Sequence, residues 1–146
     1  MTGHPPPDTP PFGTNQLLLV SIFDAGRFTE VRHAVDAVIR RCRLSAEKAA
    51  DFVTAVNEVM INAVRHGGGS GELRLWESAQ LVCEVRDRGP GFPAAGYLNR
   101  SQRPTPSPDG GMGLWIVQQT TDTLSIDSGP AGTTVRIGAA LAPRTS

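Results

Sequence analysis

Glu58-Val59-Met60-Ile61-Asn62-Ala63-Val64-Arg65-His66-Gly67-Gly68-Gly69 is the stretch on which the reading of this chain turns. Val59, Met60 and Ala63, with Phe52 and Val56 before them, fall at helical spacing and form an apolar stripe, while Glu58, Asn62 and His66 follow one another along a second, polar stripe. Ser45 is a good N-cap for this helix, with Glu47 in the first turn where negative charge suits the dipole. The three glycines after His66 stop it, because helix propensity collapses there. A carboxylate and a carboxamide are therefore presented side by side. An Asn oxygen can bind a hard cation such as Mg2+, and a nearby Glu can take a proton from a hydroxyl or water. On spacing alone the same stripe reads first as a solvated helix face, since polar pairs four residues apart are common.

Working outward, Gln16 to Phe23 is a short apolar run that reads as a strand, and Phe28, Val31, Ala34, Val35, Val38 and Ile39 recur as an amphipathic helix ending near Cys42. Past the glycines the period changes to two. Leu73 and Leu75 alternate with Arg74 and Trp76, and Leu81, Cys83 and Val85 alternate with Glu84 and Arg86, giving strands over 72–77 and 81–87 joined at Ser78-Ala79. A helix from Met112 to about Thr121 follows, then a hairpin of strands 123–127 and 133–139 across Ser128-Gly129-Pro130-Ala131-Gly132. This order implies a two-layer α/β sandwich, in which three helices cover one face of a mixed, mostly antiparallel five-stranded sheet.

At 146 residues one core is expected, with a domain over 15–142. Residues 1–14 hold five of the twelve prolines and read as a disordered tail. Residues 88–111 are rich in Gly, Pro and Ser without periodicity, and about 93–110 reads as a lid, since a long structureless stretch inside a compact domain is usually functional. Fourteen Lys plus Arg balance fourteen Asp plus Glu, which disfavours direct nucleic-acid binding. Lys48 is the only lysine, so a phosphate loop of the G-x-x-x-x-G-K-[ST] type is absent. No apolar run approaches the roughly 20 residues needed to span a bilayer, and Cys42 and Cys83 lack metal-ligand spacing, so a soluble cytoplasmic protein with reduced thiols is expected.

Three further segments could carry chemistry. Asp87-Arg88-Gly89-Pro90-Gly91-Phe92 puts a carboxylate at a strand end before two glycines, where it could accept a hydrogen bond from an exocyclic amine; it also reads as a plain turn. Gly110-Gly111-Met112-Gly113 opens a helix and leaves backbone N–H groups free to meet an anion such as a triphosphate, or is simply a flexible helix entrance. Gly132-Thr133-Thr134 is a hairpin signal whose hydroxyl could also reach a base.

Taken in order, Glu58-x-x-x-Asn62-Ala63-x-x-His66, Asp87-x-Gly89-x-Gly91, Gly111-Met112-Gly113-Leu114 and Gly132-Thr133 resemble the nucleotide-binding boxes of the ATPase superfamily shared by DNA gyrase, heat-shock chaperones and sensor histidine kinases, with its Bergerat fold. Within it, the chain looks most like bacterial anti-sigma factor serine/threonine kinases of the partner-switching type, over roughly residues 16–140. The resemblance implies ATP and Mg2+ as cofactors. Glu58 would be the general base acting on a serine or threonine hydroxyl, and Asn62 would hold Mg2+ on the phosphates. Asp87 would read the adenine amine, with Gly89 and Gly91 shaping the pocket, and Thr133 would join it. Gly111 and Gly113, flanking Met112 and followed by Leu114, would offer backbone donors to the phosphates, and His66 would support Asn62 or Glu58. The implied partners are a sigma factor and an anti-sigma factor antagonist, with a homodimer as the implied assembly. The pattern is broken at Asp109-Gly110, where such kinases often carry Arg-Ser, which leaves a non-catalytic nucleotide-sensing module that sequesters a partner as the alternative. Arg100 or Arg103 could supply the missing positive charge.

Overall fold

A computed structural model describes residues 16–90 and 111–143. The chain runs β1 (Gln16–Asp24), α1 (Phe28–Ile39), α2 (Ala46–His66), β2 (Ser70–Glu77), β3 (Gln80–Asp87), α3 (Gly111–Thr120), β4 (Thr123–Gly129) and β5 (Gly132–Ala140). The expected tail over 1–14 and the lid over about 93–110 lie outside the described residues.

Helix α2 begins as its sequence dictates. The Ser45 hydroxyl accepts the Lys48 N–H at 3.1 Å, and the helix runs twenty-one residues to His66, where Gly67 takes over as C-cap. The next two glycines adopt φ of +87° and +91°, a backbone that turns the chain sharply into β2. The five strands form one sheet in the order β1-β2-β3-β5-β4, and every pair is antiparallel. The mixed pairing expected from the sequence is absent because β5 lies between β3 and β4. Those two strands run the same way, joined through α3, but are not neighbours.

The core lies between the inner sheet face and the helices. Phe23, Leu73, Leu75, Leu81, Cys83, Val85, Val135, Ile137 and Ala139 from the strands meet Val31, Val35 and Ile39 of α1, Phe52, Val56, Val59, Met60 and Ala63 of α2, and Val117 of α3. Each large side chain buried here contributes about 1.5–3 kcal/mol, and a one-residue slip in any strand would turn that row outward, so the register is fixed by burial. Lys48 and Asp122 tie the start of α2 to the far end of the β4–β5 hairpin at 3.2 Å, and Asp122 also accepts the Ala140 N–H at 2.7 Å. That backbone donor, with Lys48 behind it, holds the Asp122 carboxyl below the usual carboxylate range.

The outer face of the sheet carries charge and a separate apolar stripe. Glu84, 1% exposed, accepts Arg86 Nε from its own strand at 2.6 Å and Arg136 Nε from the adjacent β5 at 3.0 Å. Along β1, Leu17, Val20 and Ile22 face outward at 40%, 46% and 61% exposure. A broad concavity of about 850 Å3, lined by Arg74, Arg86 and Asp127 among others, opens on this face. Both cysteines are free, and burial pushes the Cys83 thiol far up. No helix among the described residues is long and apolar enough to cross a membrane.

Candidate functional site

The polar stripe of α2 does not face bulk solvent alone. Val59, Asn62, Ala63 and His66 of α2 form one wall of a cleft whose other walls are Val85 and Asp87 of β3, Leu114 of α3, and Thr133 and Val135 of β5. Four aliphatic side chains and one alanine make the walls, and the polar groups converge at the edges, a combination suited to a flat heteroaromatic ring. With Leu114 seated, the cleft encloses about 20 Å3, room for a single water, so a purine would have to displace a wall residue such as Leu114 to enter. Trp115 is the next residue. Adding ATP is therefore expected to change tryptophan fluorescence in the wild type and not in Trp115→Phe, and an unaltered spectrum at saturating ATP would refute the displacement.

Asp87 stands at the end of β3, held by the backbone around it. Its Oδ1 accepts the Gly89 N–H at 2.9 Å, which closes the turn after the strand, and the Thr133 N–H at 3.2 Å from β5. Thr133 is buried, and its hydroxyl shares a 2.8 Å hydrogen bond with Ser128 across the hairpin. The glycines here are required by contact. A Cβ on Gly89 would lie 2.5 Å from Gly67 Cα, and a Cβ on Gly132 would overlap the Asp87 carbonyl oxygen.

At the other end of the cleft α3 arrives against α2. Gly113 is so close that an added Cβ would lie 2.8 Å from Glu58 Oε2 and 3.7 Å from both terminal atoms of Asn62. The first turn of α3, whose leading N–H groups have no partner within the helix, is thereby brought against the carboxylate and the carboxamide. Burial pushes the Glu58 carboxyl above the usual carboxylate range, with Arg65, two turns along the same face, opposing that rise. A carboxyl so raised is a better proton acceptor than a free one.

The described residues hold no group of three His, Cys, Asp or Glu able to enclose a metal ion. Mg2+ keeps several waters and is seldom caged by protein alone, so a single amide oxygen with phosphates and water could hold it. Asn62, facing the gap that only a glycine at 113 leaves open, is the residue that could hold such a cation.

The structure thus gathers Asn62, His66, Asp87, Leu114 and Thr133 in one cleft, with Glu58 and Gly113 at its mouth and Gly89 behind Asp87. Gly111 opens α3. The side chain of Met112, together with Gly91, Arg100, Arg103, Asp109 and Gly110, lies outside the described residues. Two participants escaped the sequence reading. Ser128 could have been found from the hairpin, whose pairing sets it opposite Thr133. Gly67 reads as a helix stop, and nothing in sequence reveals its contact with Asp87.

Comparison with known proteins gives the family. The histidine kinase-like ATPase domain matches residues 23–138. The chain belongs to that family. An anti-sigma F factor of Bacillus licheniformis is 31% identical over 118 residues, spanning 73% of this chain and 79% of the relative, which places the chain in the anti-sigma factor kinase branch of the histidine kinase-like ATPases. Among solved structures, the RsbU and RsbW domains of a Mycobacterium tuberculosis protein superpose with a TM-score of 0.59 at 18% identity, over 88% of this chain and 35% of that one. The histidine kinase domain of the blue-light activated kinase of Erythrobacter litoralis gives 0.52 at 23% identity, over 80% and 64%. At those identities the ATPase fold is what is shared. This chain spans less than two thirds of both structures.

Proposed function

We propose that the protein is an anti-sigma regulator of the partner-switching type that binds ATP and phosphorylates an anti-sigma factor antagonist on serine or threonine. The observation that carries this reading is the approach of Gly113 to Glu58 and Asn62 at the mouth of a cleft closed at its far end by Asp87. The adenine would lie between Val59, Ala63, Val85, Leu114 and Val135, with its amine on Asp87, and the triphosphate would run toward the first turn of α3. Glu58 would take the proton of the incoming hydroxyl as its oxygen bonds to the γ-phosphorus. The bond to the β–γ bridging oxygen then breaks, ADP leaves, and the phosphate ester stays on the partner. Mg2+ held on Asn62 would neutralise phosphate charge. Incubating the protein with labelled ATP and its cognate antagonist is expected to label serine or threonine, and no labelling with any cognate antagonist would overturn the enzymatic part.

One observation favours the second reading, a nucleotide-sensing module that captures a partner without chemistry. Asp109-Gly110 stands where such kinases often carry Arg-Ser, and a carboxylate in place of a guanidinium does not neutralise a terminal phosphate. ATP binding without turnover, and partner capture unchanged in Glu58→Ala, would establish it.

The sigma factor and the antagonist are partners in either reading, and both would be met in the cytoplasm. Self-association would use the outer face of β1, where Leu17, Val20 and Ile22 are exposed and a second copy can set the same patch against them by symmetry. Ile22→Asp is expected to shift the species seen by sedimentation from dimer to monomer, and a wild type that sediments as a monomer rejects this assembly.

A further inference from the structure

The two oxygens of Asp87 have different duties. Oδ1 is committed to the N–H groups of Gly89 and Thr133. Oδ2 receives no hydrogen bond from the described residues and lies against the backbone of Gly67, where an added Cβ would overlap both Cγ and Oδ2 of the carboxylate and approach the Ala63 carbonyl oxygen at 2.7 Å. Gly67 has φ −104° and ψ 29°, a conformation open to other residues, so backbone freedom is not what demands glycine. Space is. Gly69 makes the contrast: at φ +91° it needs its glycine conformation, and a Cβ there would meet nothing within 4 Å.

We propose that Gly67 is a specificity-determining position, whose missing Cβ leaves Asp87 Oδ2 open to the cleft and so sets a preference for 6-amino over 6-oxo purines. The inference rests on the nucleotide reading above. An ionised carboxylate only accepts hydrogen bonds. The exocyclic amine of adenine donates to it, whereas the carbonyl oxygen of hypoxanthine at the same ring position sets lone pairs against its charge. A methyl group at position 67 pushes the carboxylate off its two backbone donors or caps Oδ2, and either outcome removes the acceptor that distinguishes the two rings.

ATP and inosine triphosphate differ at that ring position, and calorimetric titration of both reads the preference directly. The wild type is expected to favour ATP by about tenfold or more, the worth of one hydrogen bond to a charged group. Gly67→Ala is expected to lose most of that ratio through weaker ATP binding, with inosine triphosphate little changed. In an Asp87→Ala background the same substitution should leave the ratio where Asp87→Ala alone puts it, because the two residues act as one unit. A wild-type ratio in Gly67→Ala, or equal loss of both nucleotides, overturns the proposal; a wild type that binds neither nucleotide overturns the nucleotide reading with it. Thermal melts without nucleotide provide a second readout should Gly67→Ala fold poorly. Its penalty should shrink when Asp87→Ala removes the atoms the new Cβ strikes, and an equal penalty in both backgrounds refutes the contact.

Discussion

Glu58→Gln is expected to cut phosphoryl transfer by about 10²–10⁴-fold while ATP affinity stays nearly unchanged, the signature of losing a proton acceptor that acts only in the transition state. The carboxyl lies at the mouth of the cleft against Gly113, away from the Asp87 end where the proposed function puts the adenine amine. Its pH behaviour follows from burial, which raises its pKa. The base must be ionised, so the acid limb of kcat/KM should fall above the usual carboxylate range. Arg65→Ala should move that limb higher still, since the arginine favours the ionised form. The stability effect has the opposite sense. Through the window between the ordinary and the raised pKa the folded protein holds more protons than the unfolded chain, so stability falls as pH rises through it. Glu58→Gln removes that penalty and is expected to melt at or above the wild-type temperature at neutral pH. A melting point well below wild type would mean that Glu58 is structural, and labelled transfer at the wild-type rate would remove it from the chemistry.

That combination, a side chain costly to the fold and useful to the site, also shows where sequence reasoning reaches. The elements were legible because each rests on local rules: Ser45 caps α2, the period of two in 72–77 and 81–87 marks β2 and β3, and glycines stop α2 at His66. Glu58, Asn62, Asp87 and Thr133 stood out as candidates because polar groups recur at fixed spacing or end strands, and the structure brings them together around one cleft. The purely antiparallel pairing was not, since the insertion of β5 between β3 and β4 is a long-range choice with no local signal. Nor was the buried Glu84, which reads as the solvent side of an alternating strand and is instead clamped by Arg86 and Arg136 from its own and the adjacent strand. Gly67 failed for the same reason. Its role depends on Asp87, twenty residues away in sequence, and helix-stop glycines look alike in a one-dimensional string.

Gly132→Ala should be among the most damaging single-methyl additions in the molecule. Gly132 sits at φ +142°, a region L side chains rarely adopt, and its Cβ would overlap the Asp87 carbonyl oxygen, a backbone atom that no rotamer change can clear. Strain and overpacking together cost roughly 2–4 kcal/mol, on the order of a 10 °C fall in melting temperature for a domain of this size. Relief of the clash has to come from parting β3 and β5 at their last pair, Asp87 with Thr133. That movement takes the Thr133 N–H away from Asp87 Oδ1, so ATP affinity should fall by about tenfold or more in protein that remains folded. Gly129→Ala is the internal control. It pairs with Gly132 in the same hairpin, yet a Cβ there meets nothing within 4 Å, and its melting temperature should match wild type. If both variants melted alike, the demand for glycine at 132 would belong to the hairpin as a whole. If Gly132→Ala alone collapses and takes ATP binding with it, the hairpin glycine is part of the wall that holds Asp87 in place.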